Sequence, residues 1–167
     1  VYSVIYDFSE EYSEIAMLDA TDRRLLRLVQ QDGRMTNADL ARSANLSPAA
    51  CHERMKRLQR DGYIVKFVAL LDPGKLDRAL LIFIEIVLDR TSRDVFSAFA
   101  KAVATTPEIL ECHMVAGGFD YLIKARVKNM EAYRNFLGET LMKLPGGRET
   151  HTYAVIEAVK DSVEIPL

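Results

Sequence analysis

The apolar residues of this chain change their period once, between Gly62 and Leu80, and that change dictates a protein in two parts. Before it, apolar positions recur at helical spacing in three short segments. After it, strand-like runs alternate with two amphipathic helical segments. A length of 167 residues accommodates one large domain or two small ones, and the change of period favours two.

In the first part, Leu25, Leu28 and Val29 make one helical stripe over residues 19–31, with Leu26 beside it and Gly33 after its end. A second, short helix is expected from Thr36, because "TNAD" has the spacing of a capping box, with Thr36 as cap and Asp39 three residues on. Its apolar side is Ala38, Leu40, Ala41 and Ala44. After "ANLSP", Ser47 is a good cap and Pro48 suits the first turn of a third helix, which Gly62 closes. Two short helices joined by a tight turn behind a first helix form the helix-turn-helix pattern. A β-rich run over 64–71 follows and ends at "DPGK".

In the second part, "LLIFIEIVL" over 80–88 reads as a strand, "SRDVFSAFAKAVATTP" as an amphipathic helix, and 109–115 and 121–127 as strands about the turn "AGGFD". A helix over "NMEAYRNFLGETLMKLPG" and a last strand over 148–159 complete the order β-α-β-β-α-β, the ferredoxin-like split βαβ unit. The whole is an α+β protein. Its segments are an N-terminal extension over 1–17, a helix-turn-helix domain over 18–66, a hinge strand and linker over 67–78, and a ferredoxin-like βαββαβ domain over 79–167. In the first strand Leu81, Phe83 and Val87 alternate against Leu80, Ile82, Ile84 and Ile86, so both faces call for burial. Two helices cover one face only, and the simplest cover for the other is a second subunit's sheet.

Charge sharpens the division. Residues 1–21 hold five acids and no base, residues 22–66 ten bases against five acids, and the remainder twelve against fourteen, within a total of -2. The basic middle points to a polyanion partner. The acidic, tyrosine-rich start is expected to be mobile or docked on another segment, and Met17 makes a natural alternative start. There is no apolar run long enough to span a membrane and no signal peptide, which gives the cytoplasm as the expected compartment. Two cysteines 61 positions apart make no disulfide framework.

The adjacent Cys51, His52 and Glu53 invite a metal or thiol reading, which helical geometry opposes. Each residue turns about 100°, so Met55 and Leu58 fall within about 40° of Cys51, and the three form the inward stripe. His52 lies about 100° away and Glu53 about 200°, so the trio cannot converge on one ion and no metal site or other cofactor is expected. The far face holds Ala49, Glu53, Lys56, Arg57 and Arg60, with Ala50 and His52 at its margins and Arg54 on the flank, expected to reach DNA backbone. Small residues let a helix approach base edges and cations meet phosphate. In the sheet, Glu111 and His113 face Lys124 and Arg126 on the neighbouring strand, with Glu85 beyond. Opposite charges there read best as cross-strand pairs that fix register, and His151 as structural. In "VAGGFDY", the glycines can expose N–H groups that cradle a carboxylate, with Asp120 placed for an ammonium, or can simply permit a hairpin; the residues admit both readings.

The motifs "LDATDRRLLRLVQQDGR", "LSPAACHERMKRLQRDGYI", "DPGKL", "ECHMVAGGFDYLIKARV", "YRNFLGETLMKLPG" and "THTYAVIEAVK" resemble, in order and over about nine-tenths of the chain, the Lrp/AsnC (feast/famine) transcriptional regulators of bacteria and archaea, and most of all their leucine-responsive branch. The resemblance implies a winged helix-turn-helix domain that binds double-stranded DNA. It also implies a body that forms a homodimer through its sheet, assembles to octamers, and binds an amino acid effector, leucine or another apolar one, between bodies of adjacent dimers. Carried over by motif, DNA contacts fall on Ser47, Ala49, Ala50, His52, Glu53, Arg54, Lys56, Arg57 and Arg60, with Thr36 and Asn37 near the backbone. Effector contacts fall on Met114, Gly117, Gly118, Phe119, Asp120 and Tyr121, with Thr152 in addition. His52 stands where the family pattern has an apolar residue. The resemblance implies no enzyme and no cofactor. The rival readings are an enzyme like the sirohaem decarboxylases, which share the architecture, and an effector-independent nucleoid organiser.

Overall fold

A computed structural model describes residues 18–90 and 92–167, so the acidic extension over 1–17 lies outside the described residues. The described residues form two compact units, one of them Leu71–Lys160 and the other made of residues 18–70 together with Asp161–Leu167.

The first unit, the head, is built from α1 (Ala20–Gln31), α2 (Asn37–Ala44) and α3 (Pro48–Arg60). Each start is capped by the residue that chemistry favours. The side chains of Asp19, Thr36 and Ser47 accept the backbone N–H groups of Asp22, Asp39 and Ala50. Only α1 has a reciprocal capping box, in which Asp22 reaches back to the Asp19 N–H. At α2 the Thr36 hydroxyl instead donates a hydrogen bond to the Asp39 carboxylate, 2.6 Å away. Asn45 ends α2 in the left-handed region at φ 55°, and Leu46 N–H reaches back to the Ala41 carbonyl, which turns the chain tightly into α3. The helices close over Leu25, Leu26, Leu40, Ala41, Ala44, Cys51 and Leu58, with Met55 half-buried at the edge.

Residues 64–71 run on without pairing, so the expected hinge strand is absent as a ladder among the described residues. Val65, Val68, Leu70 and Leu71 are exposed there. β-branched residues favour extended backbone, but a strand also requires a neighbour for its N–H and C=O groups, and among the described residues this segment has none.

In the second unit, the body, β1 (Leu80–Leu88), α4 (Arg93–Ala104), β2 (Ile109–Met114), β3 (Tyr121–Val127), α5 (Met130–Glu139) and β4 (Gly147–Ala154) follow in order, with a 3-10 turn at Leu141–Lys143. The sheet runs β2-β3-β1-β4, antiparallel throughout. Helix α5 is shorter than its apolar pattern suggests, because the chain tightens into the 3-10 turn before Pro145 and Gly146. β4 ends five residues early, at Ala154, where its partner β1 begins. Under the helices, Ile82, Ile84, Ile86, Ile123 and Ala125 are fully enclosed with Phe99 and Phe136. Each aliphatic side chain of this size contributes roughly 1.5–3 kcal/mol on burial. Tyr121 stacks on Phe99 at a centroid distance of 4.3 Å.

After β4 the chain returns to the head. Ile165 N–H donates to Gln30 Oε1 at 2.7 Å, Gln30 Nε2 donates to the Ile165 carbonyl at 3.1 Å, and Arg27 donates to the Leu167 carbonyl at 2.8 Å. The final seven residues therefore belong with the helices, where the periodicity had grouped them with the sheet.

Two glycines test this reading of local geometry. Gly62 (φ 79°) has open space where a Cβ would go, whereas at Gly146 (φ 75°) a Cβ would lie 2.4 Å from Val95 Cγ1. Gly62→Ala is expected to lose only the left-handed preference, about 1–2 kcal/mol. Gly146→Ala is expected to lose about 3 kcal/mol or more, since overpacking adds to the same strain. Urea unfolding followed by circular dichroism measures both, and equal losses would refute the assignment of the Val95 clash.

Candidate functional site

The outward face of α3 is made by helical rotation away from Cys51 and Leu58, both essentially inaccessible. Ala49, Ala50, His52, Glu53, Lys56 and Arg60 are all exposed on the other sides. Cys51, His52 and Glu53 therefore part company, one into the core and two to solvent, and burial holds the Cys51 thiol above its ordinary range. The α2–α3 turn is fastened from the first helical residue of α2, since Asn37 Nδ2 donates to the Pro48 carbonyl at 2.8 Å. Asn37 thus positions the start of α3, whatever else it touches, while Thr36 and Ser47 hold the helix ends.

Arg54 departs from the expected geometry. In place of reaching outward from the flank, its Nη1 bonds Asp19 Oδ2 at 2.5 Å and Asp22 Oδ1 at 2.8 Å. Arg57 Nη2 takes the other oxygen of Asp22, at 2.5 Å. Asp22 is 1% exposed, the one buried charged side chain among the described residues. A carboxylate so far from water requires opposite charge and hydrogen bonds, and these two arginines supply them. The Asp22 N–H first, and Arg54 with it, hold the Asp19 carboxyl below its ordinary value; Asp19, then Asp22, hold the Arg54 guanidinium above its own. The sequence did carry the signal for this. Asp22 stands at i, with Leu25, Leu26 and Val29 at i+3, i+4 and i+7, so an acid sits on an apolar stripe. The remaining cations of α3 have exposed acidic neighbours, Lys56 with Glu53 at 3.9 Å and Arg60 with Asp61 at 2.9 Å.

In the body, the hairpin between β2 and β3 places Gly117 and Gly118 in the open. A Cβ on either would meet nothing within 4 Å, and neither has a left-handed φ. The hairpin itself thus does not require glycine at these positions. Met114 is exposed beside them, and Phe119 is half-buried. Asp120 is held at the foot of the turn: its Oδ2 accepts the Leu88 N–H at 2.8 Å and its own N–H donates to the Ile86 carbonyl at 2.9 Å. Tyr121, expected among the effector contacts, is a core residue at 5% exposure, and burial holds its phenol above the usual range. Thr152 is on the opposite edge strand, hydrogen-bonded to the Tyr133 hydroxyl at 2.6 Å. Three strand spacings separate β2 from β4, about 14 Å in all, which exceeds the span of a free amino acid. Thr152 and the hairpin of one chain do not meet on one small ligand.

The sheet charges pair as register devices. Glu111 lies opposite Lys124, with their side chains 2.9 Å apart, and His113 adds a contact at 3.3 Å. Burial alone would raise the Glu111 carboxyl, but Lys124 and His113 outweigh it and hold the group below its usual range. Glu85 lies on the next strand but one, opposite His151.

Known proteins match both units. Residues 18–65 fit the model for winged helix-turn-helix DNA-binding domains, and residues 81–165 the model for the Lrp/AsnC ligand binding domain. The chain is 52% identical over 145 residues to the leucine-responsive regulatory proteins of Klebsiella pneumoniae and Escherichia coli K12, covering 87% of this chain and 88% of each relative. Among solved structures, a transcriptional regulator of Neisseria meningitidis in complex with L-methionine superposes with a TM-score of 0.86 at 33% identity, over 90% of this chain and 97% of that one. An AsnC family regulator of Agrobacterium tumefaciens gives 0.85 at 32%, over 89% and 97%. The chain belongs to the Lrp/AsnC family of transcriptional regulators.

Proposed function

We propose that this regulator contacts duplex DNA through the outward face of α3 and answers to an amino acid, leucine or another apolar one, bound at the β2–β3 hairpin. The observation that carries the DNA reading is the composition of that face: exposed Ala49 and Ala50 at the end that approaches base edges, and exposed Lys56 and Arg60 where phosphate would lie. His52 and Glu53 stand between them. Thr36, Ser47 and Asn37 flank the approach at the helix starts.

The open glycines support the effector reading. A glycine that the hairpin does not need is useful when something outside the chain must come close to the backbone, and exposed N–H groups there suit a carboxylate. Met114 offers an apolar wall, and Asp120 stabilises the turn from below. The distance to Thr152 supports a site completed by another protomer. Dimerisation through the sheet is favoured by its second face, where Phe83, Val87 and Leu122 are half-buried with no helix over them among the described residues and Tyr153 is 52% exposed. Assembly of dimers into octamers, and work on the nucleoid in the cytoplasm, complete the proposal. The relatives are transcriptional regulators, and neither a tetrapyrrole-processing enzyme nor an effector-independent organiser is favoured. The effector would act by favouring one assembly, with about 1–3 kcal/mol of coupling.

Replacing Lys56 and Arg60 together by Ala is expected to weaken binding to every duplex and to flatten the salt dependence by about 0.9 for each phosphate no longer engaged. Fluorescence anisotropy against salt measures it, and an unchanged slope would remove these residues from the interface. For the effector, Gly118→Val is expected to leave the unliganded melting temperature unchanged, since its side chain enters open space. The same variant should lose the rise in melting temperature that leucine or methionine gives the wild type, a rise worth about 2.7 kcal/mol at a hundredfold excess over Kd. A full response in Gly118→Val would exclude the hairpin as the site.

A further inference from the structure

We propose that Asp22 is a specificity-determining positioning residue for DNA binding, holding Arg57 off the phosphate backbone until a duplex fits α3 well enough to displace it. The inference rests on the DNA reading above and deepens it.

The two arginines on Asp22 are not equivalent. Arg54 is 30% exposed and bonds both Asp19 and Asp22, so it is anchored at two points. Arg57 is 43% exposed and bonds Asp22 Oδ2 alone among the ion pairs it makes. On the helix it lies within about 100° of both Lys56 and Arg60, so its guanidinium stands at the seam between α1 and the outward face. It can therefore face either a carboxylate beneath or a phosphate outside. Leaving Asp22 strips a buried charge of half its ion pairing, a loss that only a well-placed phosphate offsets. Lys56 and Arg60 carry a smaller penalty, because the side chains of Glu53 and Asp61 reach water, at 75% and 28% exposure against 1% for Asp22, and such pairs are weak. An ill-fitting duplex would thus be held by Lys56 and Arg60, and a fitting one by Arg57 as well. Discrimination would arise from a phosphate contact that is conditional, in addition to base contacts that are chemically selective.

The test compares two probes, poly(dA-dT) and a duplex selected from a random pool by the wild-type protein, each titrated across salt. With Asp22→Asn, Arg57 is released. The salt slope on poly(dA-dT) should steepen by about 0.9, one added phosphate. The preference for the selected duplex should fall about tenfold, the scale of one charge-assisted hydrogen bond. Unchanged slope and preference would overturn the proposal, as would an equal weakening on both probes at unchanged slope, which is the signature of a purely structural carboxylate. Should Asp22→Asn fail to fold by circular dichroism, Arg57→Gln decides. It should flatten the slope on the selected duplex by about 0.9 and leave that on poly(dA-dT) unchanged. Equal flattening on both probes would mean that Arg57 is an unconditional anchor and would end the idea. A wild type that binds neither probe would sink the DNA reading itself, an outcome separate from these.

Discussion

The body depends on one strand. β1 lies between β3 and β4 and pairs with both, so its backbone groups are satisfied on each side, and β2 joins the sheet through β3. Its inward residues, Ile82, Ile84 and Ile86, are covered completely. α4 and α5 close that face, and among the described residues no element lies over the other, where Phe83 and Val87 are only half-buried.

The head solves a different problem. Its three helices are short, and helices of this length are marginal on their own propensity. Caps supply part of what is needed, and the small core around Leu25, Cys51 and Leu58 supplies more. The remaining link is ionic: α1 grips α3 through a carboxylate with almost no access to water. Both arginines come from the helix proposed to meet DNA, so on that proposal the group that ties α1 to α3 would also set how much of the helix's charge is available.

Much of this was legible from residues alone. The helix starts at Thr36 and Ser47 follow from side chains that accept N–H groups, and the order of the body follows from a change of period. Rotation about the α3 axis separates Cys51, His52 and Glu53 without any coordinates. What escaped depends on distance in space. Nothing local says that residues 64–71, rich in β-formers, pair with no strand among the described residues. The inward turn of Arg54 needs knowledge of Asp19 and Asp22, more than thirty residues away, though an acid on the apolar stripe was a visible warning. The separation of Thr152 from the hairpin appears only when the strand order places β2 and β4 at opposite edges.

The return of the last residues to α1 alters what counts as a module. The helix-turn-helix head is discontinuous in sequence: the whole sheet domain is inserted between its helices and its final segment, whose main chain is held by Gln30 and Arg27. A cut anywhere in residues 67–78 leaves those partners behind on one piece and their strap on the other. A head taken from this chain would have to keep residues 161–167, so the unit that holds together joins two stretches far apart in sequence.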